Sequence, residues 1–181
     1  MDGRLRNGVR GEAGGGPSVV SFRLGPSDGI PNNSRLPVLV YKSALGETRT
    51  GPVKERLEAN GWTGTWNWRV YDFHHFHPAS HEVLVCTTGW ATLQIGGPDG
   101  RPIRIVPGDA LVLPAGTGHC QREAGGGFEV CGAYPPGQRN PAIVRAGEMD
   151  AAAAERAIAA TPLPRTDPIS GVAGPLLEAW R

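Results

Sequence analysis

Cysteine is scarce in this sequence of 181 residues. The three present, Cys86, Cys120 and Cys131, are odd in number and have no CxxC spacing, which argues against a disulfide scaffold and paired-cysteine zinc motifs. Reduced thiols in a cytoplasmic setting are the expectation. An excess of either charge is also lacking: 18 Lys and Arg stand against 17 Asp and Glu. Such balance offers no broad basic face, so nucleic acid and anionic lipid are not expected partners. No stretch approaches the roughly 18 apolar residues that span a bilayer, so no membrane segment is expected. The opening "MDGRLRNGVRGEAGGGPS" carries basic residues without the apolar core of a secretory leader.

Glycine and proline are abundant instead, together about a quarter of the chain. Residues 1–18 have little to bury and read as a flexible tail. An N-terminal arm over 19–64 follows, with strand-like "VVSFRLG" and "VLVYKSAL" and a short helix in "TGPVKERLEANGW". Pro52 suits the first position of that helix, and Gly61 suits a left-handed cap at its end. Over 65–136 the texture becomes short apolar or alternating runs: "TWNWRVYDFHHFH", "HEVLVCTT", "WATLQIGG", "PIRIVPG", "ALVLPAG" and "GFEVCGAYP". Turn signals such as "GGPDG", "PGD" and "PAGTG" separate them, which predicts an all-β antiparallel sandwich or barrel. Residues 137–181 add a helix around "GEMDAAAAERAIAA" and an irregular tail whose Leu and Trp side chains pack on the barrel.

Four of the five histidines fall within eight residues, in "HHFHPASH". On a strand, alternate side chains share a face, so His75 and His77 aim at one point while His74 points away. Glu82 opens the next run, and the turn at Pro78–Ser80 can fold its carboxylate back over the same point. A fourth ligand must come from elsewhere, and His119, after the tight turn "PAGTG", is the histidine left to supply it. His81 is the rival to Glu82, because the turn leaves strand parity open.

The residues resemble the two motifs of the cupin superfamily. The first, G(X)5HXH(X)3–4E(X)6G, is met by His75, His77, Glu82 and Gly89, with Arg69 at the leading glycine position. The second, G(X)5PXG(X)2H(X)3N, is met by Gly108, Pro114, Gly116 and His119, with Glu123 in place of the asparagine. Over residues 22–180 the segments "IPNNSRLPVLVYKSAL", "HHFHPASHEVL", "PAGTGHC", "GAYPPGQ" and "PLPRTDPISGVAGPL" resemble the YjlB-like group of bacterial cupins. That resemblance implies a single-domain jelly-roll β-barrel and a homodimer, for which "VLVYKSAL" is a candidate exchanged strand. It implies no particular substrate.

Three imidazoles and a carboxylate suit a divalent transition metal, Fe, Mn, Ni, Co, Zn or Cu. With six coordination positions two stay open, which favours an enzyme acting on a small-molecule substrate. Dioxygenase-like oxidoreductase chemistry is placed ahead of Lewis-acid isomerase or lyase chemistry, with a non-catalytic ligand-binding barrel or a storage role as alternatives. Tyr71 and Arg69, on the inward parity of the His75 strand, are the candidate catalytic residues, Arg69 as a holder of an anionic group. Cys86 is read as a buried, inert thiol, and Cys120 as pointing away from His119. Glu123 and Gln121 are read as solvent-facing, and Trp62, Trp66, Trp68 and Trp90 as covers of barrel edges or of a dimer interface.

Overall fold

Strands rich in Val, Leu and Ile in this chain are apolar at consecutive positions, which calls for burial on both faces. The computed structural model, which describes residues 18–181, satisfies that demand with a barrel covered on one outer side. The predicted tail lies outside the described residues except for Ser18, which already begins β1 (Ser18–Phe22). β1 pairs antiparallel with β2 (Val38–Lys42). In β2, Val38 and Val40 enter the barrel interior, while Leu39 and Tyr41 join an outer core. β7 (Ala110–Leu113) divides in the same way, with Leu111 and Leu113 inside and Ala110 and Val112 outside.

Helix α1 (Thr50–Ala59) buries Val53 and Leu57 against that outer core. It begins two residues earlier than predicted, so Pro52 occupies the third position. The first four amide groups of a helix have no partner within it, and proline costs no hydrogen bond there. Gly61, at φ 80°, ends the helix as expected, with its own N–H donating to Glu58 O and the Trp62 N–H to Leu57 O. Trp62 is wholly buried beneath α1 rather than at an edge.

The remaining strands are β3 (Thr63–Trp68), β4 (His75–Phe76), β5 (Glu82–Ile95), β6 (Arg101–Ile105), β8 (His119–Tyr134) and β9 (Val144–Arg145). All pairings are antiparallel, in the order β1-β2-β7-β5-β8-β4-β9, with β3 also on β8 and β6 on β5. One predicted strand pair fuses, "HEVLVCTT" and "WATLQIGG" forming the single β5, and the strand predicted in "GFEVCGAYP" extends back through "EAGGG" to His119 as β8. Glycines act as bends inside these long strands. Gly89, Gly126 and Gly127 have φ of 63°, 65° and 68°, and register shifts between β5 and β8 accompany them. Bending lets β5 pair with β7 over Glu82–Val85 and with β6 over Ala91–Ile95, closing the sheet into the jelly roll.

A further difference falls on "TWNWRVYDFHHFH". β3 stops at Trp68, residues 69–74 are irregular, and β4 is two residues long. Strand parity therefore does not connect Arg69 and Tyr71 to His75.

The C-terminal region holds α2 (Ala151–Ala160), capped by the Asp150 carboxylate accepting from the Ala153 N–H at 2.9 Å, and a short unforeseen helix, α3 (Pro175–Ala179). Leu176 and Trp180 enter the outer core, and the indole N–H of Trp180 donates to Pro37 O at 2.8 Å. Asp167, fully buried, anchors this region by accepting from the Tyr41 hydroxyl at 2.6 Å and from the Ile169 and Leu176 amides. Among the described residues no helix is long and apolar enough to cross a membrane.

Candidate metal centre

His75 and His119, 44 positions apart in the chain, are direct cross-strand partners between β4 and β8. Their rings lie 4.1 Å apart, and the His77 ring is 5.6 Å from each. One nitrogen from each of the three lies within 4.8 Å of the other two. Glu82, the first residue of β5, brings Oε2 to 3.5 Å from His77 Nε2 and 3.3 Å from His119 Nε2. Ligand atoms that sit ~2.1 Å from a common ion are about 3.0–3.4 Å from one another, so this spacing suits chelation.

Each imidazole is oriented from behind. The Nδ1 of His75, His77 and His119 lies 3.1, 2.8 and 3.1 Å from the carbonyl oxygens of Phe73, Ala142 and Thr117. A carbonyl only accepts, so Nδ1 carries the proton and each Nε2 presents a lone pair to the centre. Glu82 Oε2 is buried and lacks a hydrogen-bond donor. Three nitrogen lone pairs and an oxygen lone pair thus converge in a buried place, an arrangement that a cation satisfies and a neutral core does not. The donor set fits a divalent transition ion, which His75, His77, His119 and Glu82 would hold.

Without an ion the donors are pulled in different directions. Burial, followed by the neighbouring His119, pushes His75 down to about 3, leaving it neutral near pH 7. Burial pushes the Glu82 carboxyl up, but His77 and His119 outweigh it and hold the group ionised well below the usual carboxylate range. Burial likewise opposes protonation of His77, and the adjacent Glu82 charge reverses the balance, raising it.

Strand alternation separates Glu82 from its rival. Leu84 and Cys86 share the barrel-facing side of β5 with Glu82, while Val83 and Val85 face the outer core. His81 falls on that outer side: its ring packs 4.7 Å from Trp180, and its Nδ1 accepts the Ala115 N–H at 2.9 Å. His74 also stays apart, with Nε2 3.6 Å from Cys120 Sγ. Burial pushes the Cys86 thiol up to about 12, consistent with an inert interior sulfur. Glu123 is exposed, whereas Gln121 is half-buried, with Oε1 enclosed and unpaired and its backbone N–H donating to Tyr71 O at 2.8 Å.

The four donors line a cavity of about 560 Å³ that opens to solvent. Arg69 and Tyr71 line it as well, despite the break in the strand. Arg69 is exposed, its guanidinium 5.7 Å from the Trp68 ring. Tyr71 is 44% exposed, stacked on Phe73 at 4.8 Å and edge-on to His75 at 5.2 Å.

Sequence reasoning missed Tyr134, which lines the cavity beside Glu82. Burial and then the Glu82 charge raise its phenol far above the ordinary value, so it stays protonated. Its oxygen accepts the Trp66 indole N–H at 2.7 Å. Trp66, predicted at a barrel edge, fits here because Gly132 across the ladder has no side chain: a Cβ there would meet the indole at 2.1 Å. Alternation counted from His119 puts Tyr134 on the wrong face, since the irregularities in β8 shift the count. The glycine opposite a tryptophan was the available signal.

No protein-family model matches the chain. It is 40% identical over 157 residues, 86% of its length and 93% of the relative's, to the uncharacterized protein YjlB of Bacillus subtilis (strain 168). Among solved structures it is similar to DMSP lyase DddQ from Ruegeria pomeroyi DSS-3, with TM-score 0.37 and 17% identity over 74% of this chain and 53% of that one. It is also similar to procruciferin, an 11S globulin from Brassica napus, with TM-score 0.37 and 16% identity over 61% of this chain and 23% of that one. The chain thus spans about half or less of these solved chains, and likenesses this loose have no bearing on activity. Identity at the level of the Bacillus relative, sustained over nearly the whole of both sequences, is decisive for kinship: the chain belongs to the YjlB family.

Proposed function

We propose that the chain is a metal-dependent enzyme acting on a small organic molecule in the cavity above His75, His77, His119 and Glu82, with dioxygenase-like oxidoreductase chemistry ahead of isomerase or lyase chemistry. The carrying observation is the convergence of four oriented donors on one wall of an open cavity. A jelly roll with two apolar cores needs no ion to close it, so the donors serve something other than folding. When bound, a divalent transition ion supplies Lewis acidity and, if redox-active, electron transfer. The chain's own groups supply the rest. Tyr71 offers a phenol at the mouth for proton donation, and Trp66, Leu84 and Ile143 present apolar surface that keeps water from the substrate.

The oxidative reading draws support from what the lining omits. Apart from the four donors it contains no carboxylate and no imidazole, so a proton-transfer mechanism rests on the phenols of Tyr71 and Tyr134, both weak acids. Oxygen uptake by Fe(II)-loaded protein across a panel of small organic molecules tests this. Turnover that persists without oxygen selects the Lewis-acid reading, and tight ligand binding with no turnover selects a binding protein. In His119→Ala, bound metal falls from one ion per chain to below about 0.1 and turnover is lost; turnover in that variant defeats the metal-dependent reading.

A homodimer belongs to the same proposal. β2 is paired on both sides within one chain, so among the sheet's edges in the described residues we take β1, with Val19 and Val20 exposed at 38% and 56%, as the contact between copies in place of the strand in "VLVYKSAL". The mass in solution decides it.

A further inference from the structure

Building on the metal site proposed above, we infer that the cavity selects small carboxylates bearing an apolar group, and that Arg69 is the residue that reads the carboxylate's charge. The first ground is the charge of the lining. Glu82 is its sole acidic residue and Arg69 its sole Lys or Arg. A divalent ion more than offsets Glu82, and the Arg69 guanidinium adds to it, leaving the cavity net positive. Low-dielectric walls concentrate that field on whatever enters.

The second ground is the state of Arg69. Among the described residues it makes no ion pair and no side-chain hydrogen bond, while its guanidinium is steadied by the neighbouring Trp68 indole. The other aromatic-stacked arginines, Arg101 over Phe22, Arg104 over Trp90 and Arg145 over Phe73, do not line the cavity. A planar fork without a partner at the rim of a positive cavity matches a carboxylate, which takes two parallel N–H donors.

The third ground is the apolar remainder. Trp66, Val70, Leu84, Pro141 and Ile143 complete the walls, which favours a hydrocarbon or aryl body over a polyhydroxylated one. Asn140, at the rim, is held at φ 58°, a left-handed backbone that non-glycine residues adopt at some cost and that recurs at ligand sites. Free amines fit this lining poorly, because its one carboxylate, Glu82, is assigned to the ion.

Benzoate and its neutral isostere benzamide test the inference on the full chain loaded with Co(II), whose visible absorption reports entry of a ligand beside the ion. Benzoate is expected to bind at least about tenfold more tightly than benzamide. Arg69→Gln is expected to weaken benzoate about tenfold and benzamide less than about twofold, with cobalt stoichiometry and Tm as in the wild type. Arg69→Lys, which keeps the charge and loses the fork, should fall between. Equal binding of the two probes overturns the carboxylate class, and an Arg69→Gln effect that is equal for both, or absent, overturns the role of Arg69. Failure of the wild type to take up cobalt overturns the underlying metal reading and this inference with it, and it is read from stoichiometry before any probe is added.

Discussion

Glu82 and His81 are sequence neighbours with opposite fates, and strand geometry alone separates them. One carboxylate enters the barrel with Leu84, and one imidazole enters the outer core against Trp180. Burial holds His81 down to about 4. In the unfolded chain its value is ~6.5, so between the two the unfolded state binds the extra proton. The stability that neutral His81 contributes is therefore complete above about pH 6.5 and is lost as pH falls toward 4, a change of about 3 kcal/mol. His81→Asn keeps an acceptor for the Ala115 amide but cannot titrate. Its stability deficit relative to the wild type, measured by urea midpoints, should shrink between pH 7 and pH 4; a constant gap would mean that His81 is not neutral in the fold.

At the scale of elements, the long strands β5 and β8 position the site, and glycine bends make them fit. A Cβ on Gly89 would lie 2.3 Å from Gly125 O and 2.6 Å from Phe128 N, with the backbone at φ 63°. Gly127 has a similar φ of 68° and open space around it. Gly89→Ala should cost about 3 kcal/mol, near the upper end for combined strain and clash, and Gly127→Ala about 1. Thermal unfolding separates them, at about 2–4 °C per kcal/mol for a chain of this size. The loop before β9 belongs to the same construction, because the His77 ring donates to Ala142 O and thereby fastens the wall formed by Asn140, Pro141 and Ile143.

At the scale of the whole molecule, the proposed ion would couple its occupancy to folding, since the donors come from β4, its flank, β5 and β8 and meet only in the closed barrel. An ion bound by the native state alone stabilises it by RT ln(1 + [L]/Kd), about 2.7 kcal/mol at a hundredfold excess over Kd. Removal of metal by a chelator should lower Tm by about 5–11 °C, with recovery on adding back the ion. A Tm indifferent to both treatments would show that the four donors hold no ion.

Much of this was legible in the sequence. The HxH spacing, the carboxylate five residues beyond it and the histidine after "PAGTG" are local patterns, and chelation depends on residue type and spacing before it depends on anything else. Gly61 was legible for a similar reason, because a left-handed backbone is a property of one residue. The register that sets His75 against His119, the face assigned to His81, the cavity-side placement of Tyr134 and the burial of Trp62 and Trp180 were decided by the tertiary structure. Each depends on partners distant in the chain and on bulges that shift strand parity, and a count of alternating residues does not see either.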